Sequence, residues 1–124
     1  MRVKRIEVGI RPLKDVLNEF ASTWEKLQSG EPIKKKKGVY FESIEALRKV
    51  LTPRRLEMLK LIKDAEPKSV YELAKLLRRD IKNVNQDIKI LSELGFVSLE
   101  VKNEDRKKVV PHVDYKKILL EIPI

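Results

Sequence analysis

The stretch Asp80–Val97, D-I-K-N-V-N-Q-D-I-K-I-L-S-E-L-G-F-V, carries an apolar set and a polar set at helical spacing. Ile81, Val84, Ile88 and Leu91 recur at i, i+3, i+7 and i+10, which predicts one inward face. At about 100° per residue, Lys82, Asn83, Gln86, Lys89 and Glu93 fall on the opposite side, with Asn85 toward one flank. Asp80 is placed to cap the first turn and Gly95 to end the helix, so a helix is expected over 80–94. Glu and Lys pairs would be enough for a face that only meets solvent. Amides interleaved with lysines are instead the side chains that bond base edges and hold phosphates.

The segments before it supply two more helices. Thr52-Pro53 reads as a cap and a first-turn proline for a helix over 53–65, with Leu56, Leu59 and Ile62 inward. Ala65-Glu66-Pro67 stops it. Ser69-Val70-Tyr71-Glu72 is a capping box that starts a helix over 69–79, whose buried side is Leu73, Leu76 and Leu77. After Gly95, two β-type runs, F-V-S-L-E-V and V-V-P-H-V, flank the polar turn K-N-E-D-R-K-K and predict a hairpin. Three helices followed by a two-stranded hairpin is the order of a winged helix-turn-helix, expected here over residues 43–113. Its second helix-turn-helix element would enter the major groove.

The flanks add strands. Residues 2–10 alternate through Ile6, Val8 and Ile10, which predicts a strand. Pro12 then opens a helix over 13–27, where Leu13, Val16, Leu17, Phe20, Ala21, Trp24 and Leu27 share one face. That face suits a core or a dimer interface better than a ligand box. Gly30-Glu31-Pro32 ends the helix, Lys34–Lys37 read as a solvated linker, and V-Y-F-E is a short strand. Ser43 caps a brief helix. The end alternates through Ile118, Leu120, Ile122 and Ile124 and reads as a final strand. An edge this apolar is expected to be paired, and strand 2–10 of the same or a partner subunit is the expected neighbour. The fold class is therefore α+β: a strand–helix–strand extension over 1–42 with possible dimerisation contacts, the winged helix over 43–113 and a terminal strand over 114–124.

Composition bounds the partners. With 28 Lys+Arg against 19 Asp+Glu the net charge is +9, which favours a polyanion. Abundant Lys and Glu also occur in heat-adapted proteins, but that does not explain the excess of cations. There is no cysteine, which excludes disulfides and thiolate metal sites. The opening M-R-V-K-R-I-E-V lacks an apolar core, so no secretory signal is expected. The longest apolar run is three residues, far short of a membrane span. His112 is the only histidine and the four glycines are scattered, so neither a catalytic set nor a phosphate-cradling loop is apparent. An enzyme, a cofactor and a metal are not expected; a cytoplasmic location is.

The candidate DNA contacts divide by chemistry. Asn83 and Gln86 can bond base edges, adenine best, while Lys82 and Lys89 hold phosphates or reach guanine; Asn85 can do either. In the hairpin turn, Lys102, Arg106, Lys107 and Lys108 suit the phosphate backbone or the minor groove, although Glu104-Asp105 beside them also fit a plain solvated loop. Arg54 and Arg55 are either phosphate contacts or surface charges.

The run V-N-Q-D-I-K-I-L-S-E-L-G-F-V resembles the recognition-helix-to-wing signature of MarR- and ArsR-type winged-helix regulators, roughly V-S-R-H-L-x-x-L-x-x-x-G-L-V. The run F-E-S-I-E-A-L-R-K-V-L-T-P-R-R-L-E-M-L is similar to a small family of archaeal and bacterial transcriptional regulators of about this length, over Val39 to about Ile124. The resemblance implies Lys82, Asn83, Asn85, Gln86 and Lys89 as DNA contacts. It does not imply the metal sensing of ArsR-type proteins, whose Cys or clustered His ligands are missing. The expected function is a sequence-specific, double-stranded-DNA-binding regulator, a repressor acting as a homodimer. The alternatives are an antitoxin that neutralises a small toxin partner and autoregulates through the same winged helix, and a structural or RNA-binding winged helix.

Overall fold

The computed structural model describes residues 5–30 and 38–124. The expectations for residues 2–4, for Glu31-Pro32 and for Lys34–Lys37 lie outside the described residues. In chain order the elements are β1 (Arg5–Ile10), α1 (Leu13–Ser29), β2 (Val39–Phe41), α2 (Ile44–Val50) and α3 (Pro53–Ala65). There follow α4 (Val70–Leu77), α5 (Ile81–Glu93), β3 (Ser98–Asn103), β4 (Lys107–His112) and β5 (Lys117–Glu121). The class is α+β.

Four of the five helices, α2 to α5, begin where a side-chain cap dictates. Oγ of Ser43 accepts from the Ala46 amide at 3.2 Å, Thr52 Oγ1 from Arg55 at 3.2 Å and Ser69 Oγ from Glu72 at 3.0 Å. Oδ1 of Asp80 accepts from the Lys82 amide at 3.0 Å. Each bond satisfies a donor that the helix cannot use, worth about 1 kcal/mol. The return half of the capping box departs from the simple motif: Glu72 reaches the amide of Lys68 rather than that of Ser69. At the other end of α3, Glu66 takes a left-handed conformation, with φ of 46°.

Strands β2, β1 and β5 form a parallel sheet in that order, with α1 as the connection between β1 and β2. The apolar C-terminal strand is thus paired within the same chain, Ile6 opposite Ile118 and Val8 opposite Leu120. β3 and β4 form a separate antiparallel hairpin, running from Ser98 opposite His112 to Asn103 opposite Lys107. Within β1, Gly9 is fixed by its neighbour: a Cβ there would lie 2.9 Å from the Tyr40 ring, too close for any contact.

One hydrophobic cluster joins the sheet to the helices. Val8 and Phe41 belong to the same buried set as Met58, Ile62, Leu73, Val84, Leu91 and Phe96. Tyr115, just before β5, closes the lower corner: its hydroxyl donates to the Phe96 carbonyl at 2.9 Å. Burial pushes that phenol up to about 12, because the anion would have to leave water.

Three inward assignments change. Leu56 and Leu76 are exposed rather than buried. Met58 takes the inward place on α3, and Val70 and Ala74 join Leu73 on α4, where Leu77 is only partly buried. Leucines at helical spacing locate a stripe only approximately, and packing into the common core chooses which side turns in. The last strand also stops early. β5 ends at Glu121, opposite Gly9, because β1 has little further backbone to offer; Ile122 and Ile124 lie beyond it, exposed.

Candidate nucleic-acid interface

Helix α5 is held from behind by complete burial of Val84 and Leu91 and near-complete burial of Ile88. Its outer side is as the periodicity requires: Lys82, Asn83, Asn85, Gln86 and Lys89 are all exposed. Thirteen residues at about 1.5 Å each make a rod of roughly 20 Å, the reach of a few base steps along a groove.

One acid, Asp87, sits among these residues, and its position decides the charge of the face. Its Oδ1 meets Arg55 Nε at 3.1 Å and its Oδ2 meets Arg79 Nη1 at 2.9 Å. The carboxylate is only 14% exposed and is consumed by two guanidinium groups. Arg55 also donates from Nη1 to the carbonyls of Lys49 and Val50, both at 2.9 Å, which ties the end of α2 to α3 and α5. Arg79, in the turn between α4 and α5, fixes the angle of entry into α5. The fully exposed side chains among the first nine residues of the helix are therefore all amides and ammonium groups. Glu93, at its far end, is the exposed exception.

Arg55 is thus neither of the two roles read from the sequence, phosphate contact or surface charge. It is a half-buried staple whose donors face carboxylate and carbonyl partners. Arg54, one residue earlier, stays exposed. The staple was beyond sequence reading, although one signal existed. At 100° per residue Asp87 falls beside the buried stripe, where a carboxylate needs a partner. Nothing in the sequence says which of 28 basic residues supplies it.

The hairpin cations do not share one surface. Lys102 and Lys108 are directly opposite each other across the two strands, whereas Lys107 pairs with Asn103. Since side chains alternate, Lys107 projects from the other face, and Arg106 lies in the turn. Lys102 and Lys108 line a cleft of about 890 Å³ between the hairpin and the C-terminal end of α3, together with Lys63, Glu66, Lys68 and His112. Like charges placed opposite one another in a ladder are destabilising. Glu104, 3.8 Å from the Lys108 ammonium, offsets part of this. His112 is held by Glu100 at 3.0 Å on the exposed hairpin. Among the described residues no group of three or more His, Cys, Asp or Glu side chains could hold a metal ion, and no helix is long and apolar enough to cross a membrane.

The family model named HVO_A0114 matches residues 50–120, more than half of the chain. The chain belongs to the HVO_A0114 family. The segment shared with the HVO_A0114 family runs from the end of α2 to β5, so it takes in α5, the Arg55–Asp87–Arg79 bridge and the whole hairpin. Helix α1 lies outside it. No curated protein matches the chain.

Proposed function

We propose that α3, α4, α5 and the β3–β4 hairpin act as a winged helix-turn-helix that binds double-stranded DNA in a sequence-specific manner. The chain would regulate transcription, as a repressor that occludes a promoter. The observation that carries this reading is the outer face of α5. Its only early acid is turned aside and neutralised by Arg55 and Arg79, which leaves Lys82, Asn83, Asn85, Gln86 and Lys89 to meet a ligand. A net charge of +9 supports a polyanion as that ligand.

In this reading α5 lies in the major groove. Gln86, centred on the face, and Asn83 bond base edges, while Lys82 and Lys89 neutralise phosphates on either side. Arg106, in the hairpin turn, and Lys107 meet the backbone or the minor groove. Lys102 and Lys108, facing the cleft, strengthen the local positive field. The carboxylate of Asp87 works indirectly, by holding α5 to α3 and to the turn before it, so that the reading side chains project from a fixed rod.

The test is fluorescence anisotropy of the chain on duplex DNA from its own upstream region and on a scrambled duplex, at two salt concentrations. A preference of about a thousandfold or more for the upstream duplex is expected of a specific regulator. Equal, weak and steeply salt-dependent binding to both duplexes would reduce the interface to charge alone and overturn the reading.

A further inference from the structure

We propose that α1 is the dimerisation element of this protein and pairs antiparallel with α1 of a second copy of the chain. The inference does not depend on α5 touching DNA. None of the 17 residues of α1 is buried, yet the helix carries six large apolar side chains on one side. Phe20 is 68% exposed and Trp24 55%, with Leu13, Val16, Leu17 and Leu27 between 41% and 59%. At 100° per residue these six fall within an arc of about 100°. A contiguous stripe of this kind marks an interface.

The spacing of the stripe says what covers it. Leu13, Phe20 and Leu27 are seven residues apart, and so are Leu17 and Trp24, which is the repeat of helices that pack along each other. The stripe is also nearly symmetric about Phe20. Leu13 and Leu27 lie seven residues to either side, and Val16 and Trp24 four. Reversing a second copy about Phe20 therefore sets Leu against Leu and the large indole against the small valine. A two-fold interface requires this self-complementarity.

Charge selects the same arrangement. Lys14 and Glu25 border the stripe on one side, and reversal about Phe20 brings Lys14 to within one residue of Glu25 on the second copy, twice over. In a parallel pair that border would meet the opposite one, where Glu19 is already engaged by Arg11. The stripe offers on the order of 600–700 Å² per chain, about 1,300 Å² for the pair, just within the range of specific interfaces. The segment matched by the family model begins after α1, so the dimer element lies outside the part shared with the HVO_A0114 family.

Sedimentation equilibrium of the full chain should give twice the 14.5 kDa of one chain. Phe20→Glu should raise the dimer dissociation constant by about a hundredfold or more, as expected for a residue at the centre of an interface. Its circular dichroism should be unchanged, because Phe20 is 68% exposed in its own chain. Orientation is read by disulfide cross-linking, since the chain has no native cysteine. Phe20→Cys should link to itself, and Leu13→Cys should link to Leu27→Cys but not to itself. A monomeric wild type would overturn the proposal and favour a different protein, such as a toxin, on the stripe. A dimer indifferent to Phe20→Glu would overturn it too, and self-linking of Leu13→Cys would exclude the antiparallel arrangement.

Discussion

Helix α5 buries Val84, Ile88 and Leu91 and shows solvent lysines and amides; α1, with 17 residues against 13, buries nothing and shows solvent Leu, Phe and Trp. The two sequences are equally amphipathic by eye. What separates them is what each meets when the chain closes. α5 lies against α4 and is pinned at its flank by Arg55 and Arg79, whereas α1 is tied to the body through the backbone at Arg11 and the Arg11–Glu19 ion pair. An apolar stripe is thus a demand for a partner, and the demand need not be met within the same chain.

The sharpest way to break this comparison is truncation of matched leucines. Leu91→Ala, at a fully buried site, should cost about 2–5 kcal/mol by urea unfolding. Leu17→Ala should cost less, and its effect should grow with protein concentration, because association adds stability only where the dimer is populated. Equal and concentration-independent losses would erase the distinction.

The flank of α5 is the next point of attack. Asp87→Ala leaves two guanidinium groups without their carboxylate, at sites 14–21% exposed, and should cost about 1–3 kcal/mol of stability. On the proposed function it should also weaken DNA binding, although the Asp87 carboxylate is turned toward Arg55 and Arg79, since α5 is then less firmly set. Unchanged stability would show that core packing alone fixes the helix.

On the outer face, Gln86→Ala should cost about 1–3 kcal/mol on the cognate duplex and relax specificity. Lys89→Ala should weaken every duplex and lower the salt slope by about one. If neither changes affinity by anisotropy, α5 is not the reading face.

The last test sits at the corner of the core. The Tyr115 phenol is pushed up to about 12 from 10, so its folded form favours the proton more than the unfolded form does. Its contribution is whole below pH 10 and is lost as pH rises toward 12. Unfolding by urea across that window should show a decline that Tyr115→Phe removes, along with the bond to the Phe96 carbonyl.

Much of this was legible in the residues. Thr52, Ser69 and Asp80 announced three helices because a cap acts within four residues of itself. The exposed set on α5 followed from a period of 3.6, and the hairpin from two β-type runs around a polar turn. The greasy terminal strand demanded a neighbour, and β1 is that neighbour. Leu56 and Leu76 misled because two leucines near a stripe edge are chemically equal until a partner helix picks one side.

Local chemistry, then, determined where helices start, which face of α5 is polar and that the chain is basic. These are properties of neighbours in sequence, and short-range geometry carries them. Only the tertiary structure decided that Arg55 serves Asp87 across 32 positions of chain, that Lys102 and Lys108 turn toward a cleft, and that α1 keeps its apolar stripe outside. Pairings of this kind depend on which surfaces the closed core brings together, and no local pattern encodes that.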